Sequence, residues 1–204
     1  SVWPTASPRG HKLDAKRLLF KENRVVSSFG GDFDHKSGFE LFTDETLARK
    51  YFSAEELQLF RRHVLWTRIV APRHTSLPHG KGDLVEYIRR NREQLVLKPN
   101  RGYGGAGIHI GASVEQSEWE SLIDKALESA ADPHRSWVVQ QAANLPVHEF
   151  PIVGADGSIS DEPFYTVYGF AATDHGIGTL CRASQRQVVN IAQRGGLVAL
   201  LIGH

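Results

Sequence analysis

The 204-residue chain contains no methionine, not even at its start, and only one cysteine, Cys181. A single cysteine excludes an intramolecular disulfide framework and a multi-cysteine zinc site within this chain. The absence of methionine is expected of a fragment of a longer protein, or of a sequence from which modified methionines are omitted. In the second case, some spacings along the chain would be off by one.

Long apolar runs and an excess of either charge are also missing. No apolar run approaches the roughly 20 residues of a membrane-spanning helix. The formal net charge of +1 gives no global attraction to nucleic acid or to an anionic membrane. The first residues lack the basic and then apolar pattern of a secretory signal. These absences predict a cytoplasmic protein with neither a nucleic-acid nor a membrane partner, and they leave its oligomeric state open.

Hydrophobic patterning predicts an α+β fold with a mainly antiparallel sheet and flanking helices. Capping-box pairs at Ser53 and Glu56, and at Ser117 and Glu120, predict two helix starts. Helices are expected over 44–51, 53–64, 83–92 and 117–131. Strands are expected over 25–29, 94–98, 108–111, 137–141, 164–173, 179–183 and 197–202. The remaining expectations are a loop over 72–82 and hairpin turns over 154–157 and 175–178. Three parts follow: a lead-in segment 1–24, a mixed helical subdomain 25–92 and a strand-rich part 93–204.

The most informative segment is a glycine loop after a strand that ends in Lys98. Its four glycines are Gly102, Gly104, Gly105 and Gly107. Residues without a Cβ let such a loop turn several backbone N–H groups toward one anion. A lysine at the end of the preceding strand can reach a phosphate held there. This pattern favours a nucleotide polyphosphate site.

Other interpretations of the glycine loop compete with this one. The loop satisfies the dinucleotide fingerprint, but that motif needs a helix directly after it, and a strand-like segment follows instead. A Walker loop fails because no Gly-Lys-Ser/Thr sequence closes it. A kinase glycine loop fails because its lysine follows the loop and its catalytic motifs are missing here. A hairpin with a purely structural glycine tip stays open.

Several segments together resemble the ATP-grasp superfamily, whose second lysine ends a strand before a glycine-rich loop. The closer resemblance is to the circularly permuted ATP-grasp group, which is similar to glutathionylspermidine synthase. The likeness covers about residues 25–201 and rests on the glycine loop and on segments 63–68, 137–141, 148–152, 168–170, 180–184, 188–191 and 195–198. It implies an ATP-grasp-like fold in which 93–204 holds the nucleotide-binding subdomains. It also implies a possible substrate-binding part outside this chain.

The resemblance implies a role for each matching residue, with ATP and Mg²⁺ as cofactors. Lys98 would bind the phosphates, Arg182 would stabilise the phosphate being transferred, and Asn190 would ligate magnesium. Glu149 would hydrogen-bond the ribose hydroxyls. The loop glycines Gly104, Gly105 and Gly107 would cover the phosphates, and the adenine would be lined by Gln140, Gln141 and Ala142.

The activity implied is ATP-dependent joining of a carboxylate to an amine, on a peptide or a small metabolite, through an acyl phosphate. Two usual metal carboxylates are replaced by Ser184 and Val188. The alternatives are therefore a module of the same fold that binds a nucleotide without turnover, and an α+β interaction domain with a structural glycine loop. Lys36 resembles a lysine of the family, although a solvated lysine near a turn is the favoured interpretation.

Overall fold

A computed structural model describes residues 14–22, 24, 35–102, 104–132 and 134–200 of the chain. The strand predicted over 25–29 and the last residues of the strand predicted over 197–202 lie outside the described residues. Within the predicted lead-in segment 1–24, the described residues include a helix, α1 (Asp14–Lys21). This segment is therefore not irregular throughout.

Three short helices follow, α2 (Gly38–Thr43), α3 (Glu45–Ala48) and α4 (Ala54–His63). The capping box at Ser53 and Glu56 is confirmed, because each backbone N–H donates to the other residue's side chain. Asp44 caps α3 by accepting two backbone N–H groups, so the helix predicted over 44–51 is a single short turn. No helix in the described part of the chain is both long and apolar enough to cross a membrane.

A β-hairpin occupies the segment 72–82, for which the sequence predicts a loop. After a short strand, β1 (Thr67–Ile69), the strands β2 (His74–Leu77) and β3 (Gly80–Asp83) pair antiparallel. The loop prediction is wrong because, of its prolines, histidines and glycines, only Pro72, Pro78 and His79 lie outside the paired strands, while His74, Gly80 and Gly82 are part of them. Pairing satisfies their backbone hydrogen bonds and brings Leu77 against the hydrophobic core.

The first sheet has β1, β4 (Leu95–Pro99), β5 (His109–Ile110) and β6 (Trp137–Gln141), in the order β1-β6-β4-β5 with antiparallel pairs. Helices α5 (Leu84–Arg90) and α6 (Gln116–Glu128) cover one face. The strands and helices predicted here are confirmed, with ends that differ by a few residues. The sheet joins residues from both sides of the predicted boundary at position 92.

Helix α6 forms the centre of the core that lies under this sheet. Its apolar side chains recur at helical spacing and are buried: Trp119, Leu122, Ile123 and Ala126. The capping box predicted at Ser117 and Glu120 is wrong, because α6 begins at Gln116 and Glu115 takes the N-cap position. Ser117 is already helical, and its carbonyl accepts the Ser121 hydroxyl.

The second sheet has the order β10-β9-β8-β7 and is antiparallel throughout. Its strands are β7 (Val147–Val153), β8 (Ile159–Thr173), β9 (Gly176–Ser184) and β10 (Gly196–Val198). The strands predicted over 164–173 and 179–183 are confirmed and are longer than predicted, and β7 was not predicted. The observed α+β architecture with antiparallel sheets agrees with the predicted fold class.

Candidate functional site

A cavity of about 410 Å³ lies between the two sheets. Its volume is in the range of small-molecule sites, about 300–1,000 Å³. Strands β4 and β6 line one side, β8 and the segment 187–190 line the other, and the connection 142–145 joins them. The structure brings six predicted site residues to this cavity: Lys98, Gly105, Gln140, Gln141, Ala142 and Asn190.

Lys98 faces the cavity because of its place in the alternation of β4. Side chains alternate between the faces of a strand, so Leu95 and Leu97 enter the core while Val96 and Lys98 line the cavity. The Lys98 ammonium donates to Gln140 Oε1 at 2.6 Å. Gln140 Nε2 in turn donates to Thr67 Oγ1 at 2.8 Å. This chain of side chains across β4, β6 and β1 fixes where the charge lies.

The environment of Lys98 is poor in negative charge. Burial, and after it the neighbouring Lys36, lower the pKa of Lys98 below its ordinary value. No carboxylate in the described part of the chain forms an ion pair with Lys98. A half-buried cation that has only an amide oxygen as partner is a good binding group for an incoming anion.

Lys36 differs from the solvated lysine that the sequence favours. Its ammonium donates to the carbonyl of Gly102 in the glycine loop at 3.0 Å, and the residue is half-buried. Asn100 holds this turn in place, since its side-chain oxygen accepts the Ser37 N–H at 2.8 Å and its amide group donates to Ser136. The turn at 35–37 is thereby attached to the start of the loop.

The glycine loop joins β4 to β5 and turns through left-handed backbone. Gly104, Gly105 and Gly107 have φ values of 68°, 77° and 69°. Gly105 lines the cavity and also packs against the segment 188–193. A Cβ on Gly105 would lie 2.9 Å from Val188 Cγ1. Positive φ and close packing together explain why glycine is required here.

We expect Gly105→Ala to weaken nucleotide binding more than backbone strain alone would. The matched control is Gly157→Ala, since Gly157 has a similar φ of 81° but open space around a Cβ. Each substitution is expected to lower the free energy of unfolding by about 1–2 kcal/mol, because a left-handed conformation disfavours a Cβ. Only Gly105→Ala also displaces Val188 at the cavity. Urea unfolding and nucleotide titration of both variants check this, and equal affinities would contradict it.

Arg182 and Glu149 lie on the second sheet and do not line the cavity. Arg182 pairs with Val167, whose side chain lines the cavity, and paired residues of antiparallel strands share a face. Its Nε is buried without a hydrogen-bond partner among the described groups. Glu149 is exposed and pairs with Pro163, two residues from the cavity-lining Tyr165. Gly104 and Gly107 also do not line the cavity.

Among the described residues, those around Asn190 do not supply the ligands of a protein-bound magnesium site. The Asn190 side-chain oxygen accepts the Ala192 N–H at 2.9 Å. Glu93 is the one carboxylate residue that lines this cavity within the described ranges, and no cluster of three metal-ligating acids, histidines or cysteines occurs there. The Ser184 hydroxyl accepts a backbone N–H, and Val188 packs at the glycine loop. Magnesium prefers carboxylate and phosphate oxygens, which this donor set does not supply.

Sequence reasoning did not identify the cavity wall that β8 contributes. Tyr165 and Val167 line it, with Leu145 from the preceding connection. The alternation over 164–173 predicts a strand but not which of its faces meets the first sheet. Pairing the β8 and β9 sequences as an antiparallel hairpin would have placed Val167 and Arg182 opposite each other, on one face of the sheet.

No family model matches the chain. A segment of 104 residues is 31% identical to the ATP-grasp enzyme ankG of Aspergillus thermomutatus, covering 47% of this chain and 20% of that protein. Matches over 69 residues are 35% identical to two proteins named as candidate glutamate–cysteine ligases, from Frankia alni and Frankia casuarinae. Each covers 34% of this chain and 8% of the relative. The chain thus spans a fifth or less of the curated relatives that it matches, and these partial matches support an ATP-grasp family with ligase members.

Proposed function

We propose that this chain forms the nucleotide-binding part of an ATP-dependent carboxylate–amine ligase of the circularly permuted ATP-grasp group. The observation that carries the proposal is the Lys98 ammonium, which faces a cavity and has no acidic partner among the described residues. The glycine loop borders the same cavity through Gly105, and Gln141 and Ala142 line it at the end of β6. In this arrangement Lys98 and the loop bind the phosphates, and the segment after β6 takes the adenine.

The proposed reaction has two steps, a phosphoryl transfer to the carboxylate and then an acyl transfer to the amine. A carboxylate oxygen attacks the terminal phosphorus of ATP, the bond to the bridging oxygen breaks, and ADP leaves. An amine then attacks the acyl carbon, phosphate leaves, and the amine loses a proton. Lys98 and Arg182 supply positive charge for the phosphate oxygens, and the hydrogen bond to Gln140 already positions Lys98, so that little reorganisation is needed there. ATP enters as its magnesium complex, and no step is assigned to a metal held by the protein.

A second candidate function is nucleotide binding without turnover. It is favoured by Ser184 and Val188, which occupy the two positions where the resembled family has carboxylates, and by the poor donor set around Asn190. Under this proposal the cavity binds ATP, but no ADP forms whether or not carboxylates and amines are added.

The decisive experiment measures ADP release by the full-length gene product with a panel of carboxylates and amines. For a ligase, we expect ADP release over many turnovers only when an acid and an amine are both present, because the acid alone supports at most the first step. Arg182→Gln should lower kcat by about 10²–10³-fold, the effect of removing one group that stabilises transition-state charge. Arg186→Gln, an exposed neighbour two positions beyond β9, should leave kcat unchanged. Binding of ATP without ADP release in the presence of acids and amines favours the second candidate. If ATP does not bind, the remaining interpretation is an α+β domain whose glycine loop is structural.

A further inference from the structure

A second cavity, larger than the first, lies between the helices α2 to α4 and the β2–β3 hairpin. Its volume is about 910 Å³. Part of its lining is apolar and aromatic: Phe42, Leu57, Phe60, Val64, Trp66 and Leu77. Phe42, Phe60 and Trp66 form the aromatic wall of this cavity, and the ring centroids of Phe42 and Phe60 lie 4.9 Å apart. This cavity is lined by neither Lys98 nor Gly105, and it has the apolar body that a small-molecule site requires.

Charged side chains surround this apolar wall unequally. Three cationic residues, Arg49, Arg61 and Lys81, line the cavity with one acid, Glu45, which leaves a formal excess of two positive charges. Arg49 and Arg61 both contact the Glu45 carboxylate, at 3.3 and 2.5 Å. Lys81 lies across the cavity on β3 and is exposed. The whole chain carries only one positive charge in excess, so the local excess is a property of this cavity.

The polar groups of the aromatic wall are already satisfied. The Trp66 indole N–H donates to the Ser76 carbonyl at 3.0 Å, and the Arg68 guanidinium lies over the same ring. The Trp66 N–H is therefore already used within the fold and does not donate to an occupant. The ligand that fits is one with an apolar ring or branched body and a terminal negative charge.

The two cavities share one residue, Gln141 at the end of β6. Lys98 and Gly105 line only the first cavity. An occupant of the second cavity therefore need not contact Lys98 or Gly105. Its binding does not depend on the nucleotide proposal, so the two can fail separately.

We propose that the second cavity binds a small amphipathic carboxylate, with the aromatic or branched body against Phe42, Phe60 and Trp66 and the carboxylate between Arg61 and Lys81. The test is a calorimetric titration of the protein with naphthalene-1-acetate and, separately, with its neutral isostere naphthalene-1-acetamide. The carboxylate should bind about 3- to 20-fold more tightly than the amide, the effect of two exposed ionic contacts. Equal affinities, or no binding of the carboxylate at millimolar concentration, would overturn the proposal.

Substitutions of residues that line the second cavity test whether the two probes bind there. Arg61→Gln combined with Lys81→Gln should weaken the carboxylate by about 3- to 20-fold and leave the amide unchanged. Arg62→Gln is the matched control, since Arg62 is an exposed neighbour on α4 that does not line the cavity. Thr46→Trp, at an exposed lining position of α3, should occlude the cavity and abolish binding of both probes. Unfolding temperatures of all variants confirm that they are folded, and equal weakening by Arg62→Gln would contradict the assignment.

Discussion

Replacing Lys98 with methionine is expected to abolish the stabilisation by MgATP that the proposed nucleotide site predicts, while the ligand-free fold stays at least as stable. Lys98 is half-buried beside Lys36, and its recorded side-chain partner is the neutral Gln140. Its charge is therefore unfavourable until an anion binds. At a nucleotide concentration of about 100 times the dissociation constant, binding raises the free energy of unfolding by about 2.7 kcal/mol.

The measurement is the unfolding temperature with and without MgATP for the natural protein and for two variants. Lys98→Met should show no nucleotide-dependent shift. Lys50→Met, at an exposed turn that lines neither cavity, should show the full shift. A full shift in Lys98→Met would exclude the phosphate-binding role of this lysine. The absence of a shift in the natural protein would exclude the nucleotide site as a whole.

The lowered pKa of Lys98 gives this prediction a pH dependence. The folded, ligand-free protein releases the Lys98 proton at lower pH than an unfolded chain does. Stability of the ligand-free protein therefore rises as the pH passes through the lowered pKa, because the unfolded state binds more protons there. The affinity for nucleotide is expected to fall over the same pH range, because the phosphates bind the protonated, positively charged form of Lys98. Lys98→Arg should bind with an affinity that stays constant there, and the same pH slope in both proteins would contradict this account.

The largest loss of stability is expected from Arg68→Ala, about 3–5 kcal/mol, because it leaves buried groups without their charged partner. Arg68 has no exposed surface, and its guanidinium donates to Thr43, Thr75 and Ser76. It also lies 3.8 Å from the Asp44 carboxylate. One side chain thus connects the α2–α3 region to β1 and β2.

Urea unfolding of Arg68→Ala and Arg62→Ala measures this effect. Arg62 is exposed on α4, so its removal should change the free energy of unfolding by less than about 0.5 kcal/mol. If Arg68→Ala does not fold, Thr75→Val tests the same network through one contact, with an expected loss of about 1 kcal/mol. A loss from Arg68→Ala no larger than that from Arg62→Ala would show that the network does not hold these elements together.

Features fixed by neighbouring residues could be predicted from the sequence. The capping box at Ser53 and Glu56 depends on groups three residues apart, and the glycine loop depends on the conformational freedom of its own residues. The strand over 137–141 was also predictable, because it is a run of apolar and β-branched residues. By contrast, Ser117 and Glu120 match the same capping pattern, but α6 starts earlier, where packing of Trp119 and Leu122 sets its position.

The sequence by itself determined the α+β composition, the strand that carries Lys98 and the glycine loop after it, because periodicity and glycine content act over a few residues. Only the tertiary structure decided that Lys98 has no acidic partner among the residues that the structure describes, and that Arg182 shares a face with the cavity wall. It also decided that a second cavity opens beside α4 and the hairpin. These features depend on which faces of distant segments meet, and that choice is made by burial of the whole apolar surface rather than by any local pattern.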